Sequence, residues 1–180
     1  MEHGMDLAVI EKMSHADLKK YVEFLLWHYR VIDGFWFLFV EDDFGKQAAE
    51  IVNEMVWAKA AELAAKGVVN RFEIEKGLSG LAKALRLYPW CLIIEYNVEE
   101  KDNEVLVSIP SCAAQLARKK KGLPEFSCKE MHLGQFESFV RGIDSRIRVT
   151  CEFAPPDPHP DELFCRWHFK MKEDVCISIH

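Results

Sequence analysis

Four of the chain's six cysteines, Cys112, Cys128, Cys151 and Cys165, fall in its second half around a proline-rich run, Ala154-Pro155-Pro156-Asp157-Pro158-His159-Pro160, that separates the last two of them. Thiols grouped in this way serve a metal ion, a reactive centre or a core. Cys151 and Cys165 lie in two segments of alternating polarity, and on adjacent strands their Cβ atoms would stand about 5 Å apart. That separation lets two thiolates share one tetrahedral zinc ion with Zn–S of about 2.3 Å. Cys112 and Cys128 each precede a helical segment, where the helix N-terminus favours a thiolate, and they complete a candidate four-cysteine shell. No two of the four have C-x-x-C spacing, so the pattern is weaker than a zinc ribbon, and four buried thiols are the competing reading. Cys91 and Cys176, in apolar strand-like surroundings, read as core.

Other groups offer further chemistry. His132, His159 and His168 are candidate nitrogen ligands, and Asp157 and Asp161 candidate oxygen ligands. His168 alternates away from Cys165, onto the solvent face of its strand. Cys128 with His132 one turn later could form a nucleophile and base, the minimum for a thiol hydrolase; a metal-bound water at an open position is the other route. The chain has no glycine-rich phosphate loop, nucleophile elbow or His-Glu-x-x-His motif. An apolar run, Phe35-Trp36-Phe37-Leu38-Phe39-Val40, with Trp27 and Trp57 elsewhere in the helical half, points to a ligand pocket formed by Trp27, Phe35, Trp36, Phe39 and Trp57. Ordinary core is the alternative for each of these aromatics.

The elements that must position these residues follow from periodicity. Ser14 caps a helix with Leu18, Val22, Leu25 and Tyr29 at helical spacing, and Asp33-Gly34 breaks it. A second helix runs from about Asp43 to Lys66 and ends at Gly67, and a third covers Phe72 to Leu87, weakened by Gly77 and Gly80. Pro89 stops it, and the period shifts to two: strands are expected over Trp90–Val98, Val105–Ile109, Arg146–Phe153 and Phe164–Met171. Between them, Ser111–Lys121 and Met131–Arg141 read as helices. Arg118-Lys119-Lys120-Lys121 suits a helix C-terminus.

Composition bounds the rest. At 180 residues, 49% hydrophobic and 29% charged, the chain fits one folded domain, 1–180, with a helical half (1–88) and a sheet half (89–180). A net charge of -6 argues against nucleic acid as partner. The longest apolar run is too short for a membrane span, and the acidic N-terminus does not read as an export signal, so a cytoplasmic location is expected.

Cys128, Gly134-Gln135-Phe136-Glu137-Ser138-Phe139, Ile147-Arg148-Val149-Thr150-Cys151 and Phe164-Cys165-Arg166-Trp167-His168-Phe169 together resemble the vinyl-reductase-type ligand-binding domain. The resemblance implies helices packed on an antiparallel sheet, the fold of nitric-oxide signalling and Golgi-transport ligand-binding domains, whose members bind small hydrophobic ligands and in some cases hold a structural zinc. It matches Cys128, Cys151 and Cys165 to three zinc ligands, with Cys112 the first choice for the fourth and His159 the second. Arg148 stands where sensor members carry an acidic residue, and the loop between the last two cysteines is longer. Asp33-Gly34-Phe35-Trp36-Phe37, Cys112, Gln115, Arg118, Ile143-Asp144 and Pro155-Pro156-Asp157 also resemble an uncharacterised family of cytosolic proteins akin to the 2-aminothiazoline-4-carboxylate hydrolase-like group. Ala154 stands where that pattern often has a cysteine, which weakens a metal role for the loop. The combined expectation is an α+β domain, homodimeric, that binds a small hydrophobic ligand and carries a structural zinc. A hydrolase using Cys128 or a metal-bound water is the alternative. A third reading, a pure assembly module, predicts a large apolar surface patch and no cavity.

Overall fold

The computed structural model describes residues 6–122 and 124–172. Ser14 opens α1 (His15–Phe44), its hydroxyl accepting a hydrogen bond from Asp17 N at 3.2 Å. The break expected at Asp33-Gly34 does not occur. One glycine costs a helix about 1 kcal/mol relative to alanine, less than packing a long apolar helix on its neighbour returns. Gly45, at φ 85°, turns the chain into α2 (Lys46–Phe72), which likewise passes the expected stop at Gly67. Helix α3 (Leu78–Leu87) starts six residues later than its periodicity indicated, behind Gly77 at φ 94°. Pro89 stops that helix but begins α4 (Pro89–Ile93), because its fixed φ suits the first helical position. The strand expected from Trp90 therefore starts only at Asn97.

From there the chain alternates sheet and helix: β1 (Asn97–Lys101), β2 (Glu104–Ile109), α5 (Ala113–Lys120), α6 (Lys129–Ile143), β3 (Ile147–Phe153) and β4 (Cys165–Met171). The four strands form one sheet in the order β1-β2-β4-β3, every pair antiparallel. Val105, Val107, Ile147, Val149, Trp167 and Phe169 are buried on one face, against Phe136, Phe139 and Val140 of α6. Fully burying side chains of this size is worth roughly 1.5–3 kcal/mol each. Arg148, Thr150 and Lys170 alternate outward into solvent.

Helix α6 lies between the sheet and α2. The crossing is close: a Cβ added at Gly142 would stand 2.5 Å from the Cβ of Ala65, so only glycine fits there. Gly80 is similarly forced, since its Cβ would meet the backbone of Glu75. Helix α1 packs outside α2, and none of its residues is buried. The architecture is α+β, with six α-helices and a four-stranded antiparallel sheet among the described residues. No helix among them is long and apolar enough to cross a membrane.

Candidate functional site

A cavity of about 250 Å³ lies between α1, α2, α4, α5 and the start of α6. Trp57 and Trp90 form one wall with ring centroids 4.5 Å apart, and Phe37 meets Phe126 edge-on at 5.5 Å to form another. Asp33, Phe37 and Glu41 face it from one side of α1 because residues four apart share a helix face. Gly34 also borders it, and a Cβ added there would meet nothing within 4 Å, so the glycine leaves that edge open.

Few polar groups interrupt the apolar lining. Asn53 is only 6% exposed, yet its amide hydrogen-bonds to no other described residue. His132 is buried, its Nδ1 2.8 Å from Gln135 Oε1. With the Gln135 amide oriented so that Oε1 faces the ring and Nε2 donates to Tyr88 Oη at 2.9 Å, the ring's Nδ1 carries the proton and its Nε2 is an acceptor. Burial pushes the His132 pKa down and keeps the ring neutral. Burial raises the Asp33 carboxyl above its ordinary range, against the indole N–H groups of Trp36, at 3.1 Å, and Trp57, which favour the carboxylate. Arg118 also lines the cavity, with Nε donating to Pro124 O at 2.7 Å.

The segment before α6 is tied down at both ends. Gln115 donates to Phe126 O and accepts from Phe126 N, both at 2.8 Å. Pro155 O accepts from Cys128 N and Lys129 N at 3.1 Å each, and Lys129 Nζ pairs with Asp157 at 2.8 Å. The proline run therefore fixes the start of α6, satisfying N–H groups that a helix leaves open. His159 is held by Glu125 at 3.1 Å.

The thiols are neighbours without forming a ligand shell. Cys112 and Cys128 occupy the N-cap positions of α5 and α6 and line the cavity. The register corrects the expected cross-strand pair. Cys151 lies opposite Trp167, a bulge follows it, and Cys165 is paired with Ile109 on β2. Among the described residues, no group of three or more His, Cys, Asp or Glu side chains is arranged to hold a metal ion. The zinc expected at Cys112, Cys128, Cys151 and Cys165 therefore has no preformed set of three such ligands among the described residues. Cys176 lies outside the described residues. Burial pushes the Cys128 thiol up to about 12 and Cys151 to about 11, and raises Cys112 and Cys165. Helix N-termini favour thiolates, but here desolvation outweighs them. Burial thus opposes the thiolate–imidazolium form that a Cys128-His132 dyad would use, raising the thiol and lowering the histidine.

Of the aromatics expected to form a pocket, Trp57 lines the cavity. Trp36 is half-buried over Asp33, Trp27 borders a separate shallow hollow with Leu26, Arg30 and Ile93, and Phe35 and Phe39 are 53% and 61% exposed. The difference follows from the unbroken helix, which turns the run by about 100° per residue, so that Phe37 faces the cavity while Phe35 and Phe39 face out. Asn53 was missed, although a signal existed: it is the one polar residue in the column Ala49, Asn53, Trp57, Ala61, Ala65, spaced by four along α2.

The sequence pattern of a family described as "Family of unknown function (DUF6125)" matches residues 11–171. No curated protein matches the chain. A solved structure, a trafficking protein particle complex subunit 3 from Naegleria fowleri covalently bound to palmitic acid, is similar at a TM-score of 0.48 and 13% identity, over 86% of this chain and 97% of that one. Neither match shows the vinyl-reductase relation.

Proposed function

The chain belongs to this family of unknown function, and we propose that it binds a small, largely apolar molecule in the cavity between α1, α2 and α6. The observation that carries this reading is Asn53, an amide without a described hydrogen-bond partner that faces a mostly apolar cavity beside His132 and the Trp57–Trp90 wall. The amide is open to the cavity, where water can satisfy it, and an occupant with a donor or acceptor can take that water's place. His132 Nε2 offers a second acceptor. An apolar cavity of about 150 Å³ accepts benzene, so about 250 Å³ suits a molecule of one or two rings. The resemblance to ligand-binding domains agrees with this reading.

Titration of isotopically labelled protein with benzamide and with phenol, followed by amide chemical shifts, tests it. Saturable shifts clustered at Asn53, Trp57, Cys128 and His132 are expected. Absence of saturable binding for aromatic probes of this size, or shifts centred elsewhere, overturns the assignment.

A further inference from the structure

The outermost helix is apolar where nothing covers it. Tyr21, Leu25, His28, Ile32, Phe35 and Phe39 recur along α1 at alternating steps of four and three, the heptad spacing of a seam between two helices. At about 100° per residue this seam lies on the side of α1 opposite Asp33, Phe37 and Glu41, which line the cavity. It is open to solvent: Leu25, Ile32, Phe35 and Phe39 are each 45–61% exposed, and Phe35 stacks only on Phe39, at 5.7 Å.

We propose that α1 is the interface of a two-fold homodimer, packed antiparallel against α1 of a second copy and centred near Ile32. Area and charge both select this occupant. At roughly 200 Å² per aromatic side chain, half-exposed Phe24, Phe35 and Phe39 with Leu25 and Ile32 present on the order of 500 Å² per copy. The pair then removes about 1,000 Å², the size at which a specific interface begins. Asp42 and Asp43 stand at the C-terminal end of α1, where the helix dipole disfavours carboxylates, and the last turn holds no base. Lys46, the next base along, pairs with Glu50 at 3.5 Å. The other end of α1 carries Lys19 and Lys20, the latter 3.1 Å from Asp17. Antiparallel pairing about Ile32 sets Tyr21 opposite Asp43 of the second copy, with Lys20 one residue away. Parallel pairing sets the aspartates against each other and leaves them at the unfavourable helix end. The two-fold arrangement is isologous and closed, so assembly stops at two.

Sedimentation velocity of the full chain between about 1 and 100 μM, the range in which small interfaces are commonly populated, tests the dimer. The wild type sediments as a dimer, and Ile32→Glu with Phe35→Glu raises the dissociation constant at least 100-fold while far-UV circular dichroism is unchanged. Because those variants could misfold, a second measurement reads the geometry directly. Leu25→Cys protein is mixed with Phe39→Cys protein and treated with a short bismaleimide, with wild type giving the background from native thiols. Mixed 25-to-39 cross-links dominate in the antiparallel dimer. A monomer at every concentration, a dimer indifferent to the glutamates, or 25-to-25 and 39-to-39 cross-links in excess overturns the proposal. So does a monomeric chain that binds phosphatidylcholine vesicles through Phe35, since the seam would then belong to a lipid surface.

Discussion

At the scale of single residues, Asn53 separates a ligand site from an accident of packing. Leucine has nearly the same volume and no polar atoms, so Asn53→Leu removes the cavity-facing amide without opening a hole. The empty protein should keep its stability to within about 1.5 kcal/mol in urea denaturation, while affinity for a hydrogen-bonding probe such as benzamide falls about tenfold, the loss of one hydrogen bond. A destabilised protein with unchanged affinity would make Asn53 a structural amide instead. Cys128 gives a second residue-scale expectation. With its thiol pushed up to about 12, against about 8.5 for a free cysteine, little thiolate exists at pH 8. Alkylation by iodoacetamide should therefore run at least 100-fold slower than for a small free thiol, as read by mass spectrometry of the Cys128 peptide. Reaction at the free-thiol rate would restore the nucleophile reading. The sequence placed Cys112 and Cys128 correctly at helix starts, since helix boundaries are local. It did not show that the same positions face an apolar cavity, because desolvation depends on neighbours distant in the chain.

At the scale of elements, α1 decides what the cavity admits. Gly34 lies within a continuous 30-residue helix, lines the cavity and leaves open space where a Cβ would stand. Gly34→Leu should raise the stability of the chain by about 1 kcal/mol through helix propensity and at the same time abolish probe binding by filling the cavity edge. Thermal unfolding with a parallel titration checks both arms, and binding that survives would place the occupant elsewhere. The misplaced pocket residues have the same origin. An Asp-Gly pair is a turn signal in isolation, and a helix broken there leaves the phase of Phe35 to Phe39 undetermined. Once α1 is continuous, Phe37 belongs to the cavity and Phe35 with Phe39 to the outer seam. The proline run was a similar case: its sequence pointed to a loop near the cysteines, but its task, holding Cys128 N and Lys129 N on Pro155 O, is a long-range contact.

At the scale of the whole molecule, the α+β class was legible because the hydrophobic period changes from about 3.6 to 2 after Pro89. The strand order β1-β2-β4-β3 was not, since it rests on pairing β2 with β4 across more than fifty residues. Stability against acid also belongs to this scale, and it has two separable stages. His132 is buried neutral, its folded pKa below the ordinary 6.5. Its contribution is present above pH 6.5 and is lost as pH falls toward the folded value, because the unfolded chain takes up the proton first. Asp144 acts lower down. Its carboxylate accepts from Arg146 Nε at 3.0 Å and from a terminal guanidinium nitrogen at 2.7 Å, which lowers it from 3.8 to about 2. That contribution is present above about pH 4 and disappears as pH falls through about 2. His159 opposes the first stage, since Pro160 O and the Glu125 carboxylate raise its pKa, so the stages are read from variants rather than from the wild type alone. In urea midpoints measured from pH 8 to 2, His132→Asn, whose amide can still donate to Gln135, should flatten the decline that begins at 6.5 and leave the lower stage intact. Asp144→Asn should be less stable than wild type at pH 7 by a margin that closes between pH 4 and 2. If the His132→Asn profile keeps the wild-type slope between pH 7 and 5, the histidine beside the cavity is not held neutral by burial, and its place as a hydrogen-bond acceptor for a ligand falls with it.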